Sequence, residues 1–244
     1  AEEALRENSE CLELALAGAD LGLWDRDLVK DRQTINERWA TMLGYTMEEL
    51  EAGAVSWEDL LHPDDRPRVL AALEAHKAGQ TPQYEAEFRL RCKSGEWRWI
   101  LSRGKVAQRA PDGRPLRMAG THRDITTHRQ AEDAVARSEI SLKQAQRIAH
   151  VGSYEYDPAN PGESQWSDEM FRILGLEPGT KPLLPEDYFT RLIHPDDRER
   201  VREKLERATK EGETYNAEYR VVRPDGSIRH VHSLAEPVPT NGGT

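Results

Sequence analysis

The chain has 244 residues, enough for one large domain or two ordinary ones. Its net charge of -10, from 44 acidic and 34 basic residues, argues against a nucleic-acid partner, and Cys11 and Cys92 alone give neither a disulfide framework nor a zinc ligand set. No run approaches the ~18 consecutive apolar residues of a membrane span and no signal peptide opens the chain, so the expectation is a cytoplasmic location with no membrane contact within this stretch.

An internal repeat sets the organisation. HPDDR at 62–66 returns at 194–198, and Tyr-x-Ala-Glu-aromatic-Arg at 84–89 returns at 215–220. Leu43-Gly44 returns as Leu174-Gly175, and the turn at Gly95 as the turn at Gly226. Solenoid repeats have periods of roughly 20–50 residues, so a period this long marks two homologous domains. The segment opening with Ala1 also matches the one opening with Ala131. The division expected is the end of an upstream linker helix (1–16), a first domain (17–126), a linker helix (127–149) and a second domain (150–244). A last strand follows the Pro111-Asp112-Gly113 turn of the first repeat. Its counterpart would follow Asn241-Gly242-Gly243, so the second domain is expected to lack it and the chain to be a piece of a longer protein.

Taken in chain order, each repeat begins with a strand, at 21–28 and 151–157. A helix over 36–43 stops at Gly44, which tolerates the left-handed backbone that ends helices. Thr46-x-x-Glu49 has the form of a capping box, and Ser56-x-x-Asp59 is a similar start signal. Pro63 suits the first turn of a longer helix whose dipole Asp64 and Asp65 complement, with Val69, Leu70 and Leu73 facing inward. Residues 84–90 alternate apolar and charged, as a strand with one buried face does, and a turn at Gly95 returns the chain into Trp97-Arg98-Trp99-Ile100-Leu101. A Pro-Asp-Gly turn then leads to a final strand over 116–123. Helices on one face of an antiparallel sheet make an α+β fold, here twice, joined by a helical linker.

These residues carry a family resemblance. GLWD, MLGY, LLHPDDR, the YEAEFRL and EWRWI hairpin and Asp124-Ile125-Thr126 together resemble a PAS domain with its attached PAC motif. HVGSYEYD, ILGL, LIHPDDR and YNAEYRV repeat the pattern. The resemblance implies the input region of a bacterial-type sensory protein. Its output domain would lie further along the same chain and would be a histidine kinase, or alternatively a diguanylate cyclase or phosphodiesterase. A pair serving only dimerisation or partner docking is a further alternative.

Chemistry is weakly signalled. HPDDR has the residue types of a metal or acid–base site, but adjacent aspartates on a helix point apart, and the helix-start reading is preferred. No phosphate loop, nucleophile elbow, HExxH or CxxC is present, so this stretch is not expected to be an enzyme or to have a catalytic or metal site. Trp39, Trp57, Phe88 and Met118 are candidates for lining a ligand pocket, beside the plainer reading that they fill a core. The resemblance brings cofactors into question. No cysteine lies between Gly44 and Pro63, where light-sensing members of the resembled family carry one, which argues against covalent flavin photochemistry. His76 is the one residue placed to be a haem ligand, and a solvent-exposed helix-end role is preferred for it. The expectation is therefore no cofactor or a small unidentified ligand, with FAD possible and haem disfavoured.

The linker offers a second functional element. Ala131, Val135, Ser138, Leu142, Ala145 and Ala149 follow alternating steps of four and three, the seam of a weak coiled coil, which predicts a homodimer. Thr127-x-x-Gln130 fits a capping box at its start. The resemblance makes Asp124, Ile125 and Thr126 the junction between last strand and output helix, with Val135 and Leu142 carrying the signal onward.

Overall fold

The computed structural model describes residues 3, 7, 10, 11, 14–16, 18–51, 56–157 and 160–236. The expected linker helix over 1–16 and the turn at Asn241-Gly242-Gly243 lie wholly or mostly outside the described residues. The chain divides into two compact units, 1–134 and 135–244.

The first unit is built on a five-stranded antiparallel sheet in the order β2-β1-β5-β4-β3. Its strands are β1 (Gly22–Asp27), β2 (Arg32–Ile35), β3 (Tyr84–Arg91), β4 (Trp97–Arg109) and β5 (Pro115–Asp124). Strand β2 is absent from the sequence reading, which passes from the first strand directly to helices. A tight turn makes β2 possible: Asp27 Oδ1 accepts the backbone N–H groups of Val29 and Lys30, and Asp31 adopts a positive φ of 50°. The last strand takes the central place, paired with both β1 and β4.

Four helices cover one face: α1 (Glu37–Met42), α2 (Met47–Glu51), α3 (Trp57–Leu60) and α4 (Arg66–Lys77). Both expected capping boxes form. Thr46 and Glu49 exchange side-chain and backbone bonds, as do Ser56 and Asp59. Tyr84, Ala86, Phe88 and Leu90 alternate into the core with Ile100 and Met118, opposite Trp39, Met42, Leu60, Val69 and Leu73.

Two expectations about α4 are corrected. It starts at Arg66, three residues after Pro63. The carboxylate of Asp65 does not face the helix dipole but accepts the backbone N–H of Arg89 (3.0 Å) and two guanidinium bonds from the same residue (2.9 and 3.0 Å). Its inner face is completed by His76, which is buried, and Leu70 is only half-buried.

The second unit repeats the plan with β6 (Tyr154–Glu155) paired to β7 (Gln165–Trp166), and β8 (Tyr215–Val222) paired to β9 (Ile228–Ala235). Its helices are α6 (Asp168–Leu174), α7 (Pro185–Arg191) and α8 (Arg198–Glu211), with α5 (Thr126–Ala149) preceding them. Asp197 clamps Arg220 as Asp65 clamps Arg89, through its backbone N–H and guanidinium at 2.9–3.0 Å. HPDDR is thus a stitch between helix start and sheet, made twice. The expected lack of a counterpart to β5 concerns the chain after Glu236, outside the described residues.

Candidate functional sites

Of the four candidate pocket residues, Trp57, Phe88 and Met118 line a cavity of about 40 Å³ between sheet and helices, together with Trp24, Ser102 and His122. Trp39 is buried but does not line that cavity. It packs against the backbone of Gly22, where a Cβ would stand 2.9 Å from its Cα. The space over the sheet is taken by Trp24. Its indole lies against Gly104 and Gly120, and a Cβ on either would fall 2.6 Å from the ring. Glycine is needed at those places for close approach, even though neither has a left-handed backbone.

His122 is the residue the sequence reading missed. It stands on the inner face of β5 with the rings of Trp24, Trp39 and Phe88 around it at centroid distances of 5.7–6.1 Å. Its Nδ1 has no hydrogen-bond partner among the described residues. Burial lowers its pKa to about 3, so the imidazole is neutral. Burial also pushes the nearby Tyr84 hydroxyl up to about 12. Period-two alternation from Met118 would have found His122.

His76, expected to be exposed, is instead locked inside. Its Nδ1 lies 2.9 Å from the Thr81 carbonyl, which can only accept, so Nδ1 carries the proton. Its Nε2 then accepts the Val106 backbone N–H at 3.2 Å. Neither ring nitrogen is left to ligate haem iron. Among the described residues no cluster of His, Cys, Asp and Glu is able to hold a metal ion.

At the end of β5, Asp124, Ile125 and Thr126 come together with β4. Asp124 accepts Arg98 Nη1 and the Thr126 backbone N–H, both at 2.9 Å. Thr126 Oγ1 accepts the Trp99 N–H at 3.0 Å, and the Ile125 N–H donates to the Trp99 carbonyl at 2.9 Å. These bonds start α5 at Thr126, so the expected cap at Thr127 falls one residue inside the helix. The Trp99 ring also meets two cations, Arg89 at 5.3 Å and Arg129 at 5.4 Å, and Arg129 is paired with Glu87. Val135 and Leu142 are not gathered into this network. They are 60% and 59% exposed on α5, which has no buried residue.

The second unit carries a cavity of about 100 Å³ at the equivalent position. Strand registers align Tyr154 with Trp24, Tyr219 with Phe88 and Ser233 with Ser102. Tyr188 and Tyr219 share a hydroxyl–hydroxyl bond of 2.8 Å, and Tyr154 and Ser233 one of 3.2 Å. Desolvation raises the pKa values of Tyr188, Tyr215 and Tyr219, which keeps these phenols neutral.

A family model described as the PAS fold matches residues 32–122 and 163–244, more than half of the chain. The chain belongs to the PAS family. Probable diguanylate cyclase DgcE of Escherichia coli is 25% identical over 208 residues, which is 85% of this chain and 18% of that protein. A blue-light-activated histidine kinase of Brucella ovis is 27% identical over 178 residues, 70% of this chain and 34% of the kinase. A solved sensory box histidine kinase/response regulator of Burkholderia thailandensis is 36% identical with a TM-score of 0.48, covering 55% of this chain and 98% of that one. The chain thus spans 18% and 34% of the two longer signalling relatives. Among the described residues no helix is long and apolar enough to cross a membrane.

The two PAS cavities can be tested against a flavin. Ligand sites for cofactors enclose roughly 300–1,000 Å³. Trp24 fills the first, and the second is lined by no charged side chain that would meet a phosphate. Trp39 and Trp57 also line an open cleft of about 710 Å³ with Arg26 and Arg32, which has both the room and the cations that a flavin nucleotide would need.

Proposed function

We propose that the chain is the tandem sensory input of a longer signalling protein, relaying a small ligand, a redox change or the dimer state from its PAS units to an output domain in the same chain. The observation that carries this reading is the hydrogen-bonded junction in which Asp124 and Thr126 tie the first turn of α5 to Arg98 and Trp99 of β4. A shift in the packing of β4 and β5 would change these bonds, and with them the helix. Such a relay works as a population shift between two arrangements of one element.

Domains at 17–126 and 150–244 with a signalling helix over 127–149 follow from this reading. The exposed Val135 and Leu142 suit a homodimer seam, because exposed apolar side chains on α5, which also carries Ile140 and Ile148, gain by pairing with a second copy. In the protein that carries the chain with its output domain, Asp124→Ala is expected to abolish regulation while circular dichroism and melting temperature stay near wild type. Unchanged regulation in a folded variant overturns the relay.

The output domain we propose is a histidine kinase. A diguanylate cyclase is the second reading, favoured by the match to DgcE over 85% of this chain. Incubating the whole protein with labelled ATP and, separately, GTP decides between a phosphorylated protein and a cyclic dinucleotide product.

A further inference from the structure

The equivalent cavities of the two PAS units differ in size and in chemistry. The first is lined by the cations Arg26 and Lys77, whereas the described lining of the second includes no charged side chain. Two exchanges account for the difference. Tyr154 stands where Trp24 fills the first cavity, and Tyr156 stands where Arg26 supplies a cation. Trp24 needs the bare backbone of Gly104, whose counterpart in register is Ala235, a residue that has a Cβ.

The polar side chains of the second cavity's described lining are all tyrosines and serines, and four of them are joined in pairs, Tyr154 with Ser233 and Tyr188 with Tyr219. Hydroxyls both donate and accept, so this lining can meet either a donor or an acceptor on a guest. Trp166 forms the opposite wall, edge-on to Tyr188 at 5.8 Å and 5.3 Å from Phe171. Such walls favour a flat ring, which can stack or meet edges. A charged guest would lose its hydration with no countercharge to replace it, at a cost of several kcal/mol. The volume of about 100 Å³ is smaller than an enclosed apolar cavity of ~150 Å³ that accepts benzene, but this cavity is open on one side, so a ring seats with one edge at its mouth.

We propose that the second unit binds a small neutral aromatic molecule, of one or two rings with a single hydrogen-bonding group, as in phenols and indoles, between Trp166 and the hydroxyls of Tyr188, Tyr219 and Ser233. This rests on the reading of the chain as a sensory input and supplies the class of its signal.

The test is saturation-transfer NMR and calorimetry on the chain of residues 1–244 with indole, phenol and benzoate as probes. Indole and phenol are expected to bind, and benzoate at least about tenfold more weakly, a difference of about 1.4 kcal/mol. Tyr219→Phe is expected to weaken phenol at least about fivefold by removing a hydroxyl. Leu205→Phe, which fills the cavity, is expected to abolish binding. Ser102→Ala, at the equivalent place in the first unit, is expected to change nothing. Should Tyr219→Phe not fold, Ser233→Ala reads the same hydroxyl network. No binding of either neutral probe at millimolar concentration, benzoate as tight as phenol, or equal loss from Ser102→Ala overturns the assignment. The Asp124→Ala test involves none of these probes, so failure here and failure of the relay are distinguishable.

Discussion

The two PAS units share a skeleton and differ in what they enclose. Each anchors its long helix to the sheet through one aspartate and one arginine, Asp65 with Arg89 and Asp197 with Arg220. The first then packs Trp24 on Gly104 and Gly120, while the second has a ring of tyrosines around an uncharged space. The stitch outlasted duplication because a half-buried ion pair fails when either partner is lost. The cavity diverged because filling it and leaving it open both give a stable core, provided polar groups find partners.

The largest expected effect falls on the filled cavity. Gly104→Ala places a Cβ 2.6 Å from the Trp24 ring and 2.9 Å from the Ala119 carbonyl, and is expected to cost about 3 kcal/mol. Adding Trp24→Tyr, which copies the second unit, is expected to recover part of that. Urea melts followed by tryptophan fluorescence check both. A double variant no more stable than the single one would mean that the aromatic exchange does not explain the two cavities.

Acid separates the units next. Unfolded, His122 takes up a proton below its ordinary 6.5, whereas folded it resists down to about 3. Its contribution is therefore present above 6.5 and lost as pH falls. The first unit is expected to lose about 1.4 kcal/mol per pH unit over that range. His122→Phe is expected to flatten this slope, as urea midpoints at about pH 6.5 and pH 5 would reveal.

Asp65→Asn is expected to destabilise the first unit by about 2 kcal/mol and Asp197→Asn the second in the same direction, read by calorimetry. Both carboxyls are held below their ordinary 3.8 by the facing arginine. Their contribution is thus present above that value and lost as pH drops below it. An effect confined to one unit would break the equivalence of the two stitches.

The smallest effect concerns stability at Leu142. Leu142→Lys is expected to leave the unfolding free energy of each PAS unit within about 0.5 kcal/mol of wild type in urea melts, since the side chain is exposed. The same change is expected to move sedimentation from dimer to monomer.

The duplication, the α+β plan and the capping boxes at Thr46 and Ser56 were readable from the sequence because each depends on neighbours a few residues apart or on a pattern stated twice. The tyrosine-rich lining was readable in principle, by aligning Tyr154 with Trp24 and Tyr219 with Phe88. The tertiary structure alone decided that the last strand of the first unit is central, that His76 and His122 are buried and that Asp65 serves Arg89. It also turned a composition rich in tryptophan into one filled cavity, with Trp97 and Trp99 outside it. Local hydrogen bonds and hydrophobic period act over a turn or two of chain, so sequence carries them. Burial, volume and the partner of a charge depend on side chains brought together from far along the chain, 24 positions for Asp65 and Arg89 and 23 for Asp197 and Arg220, and those meet only when the sheet closes under its helices.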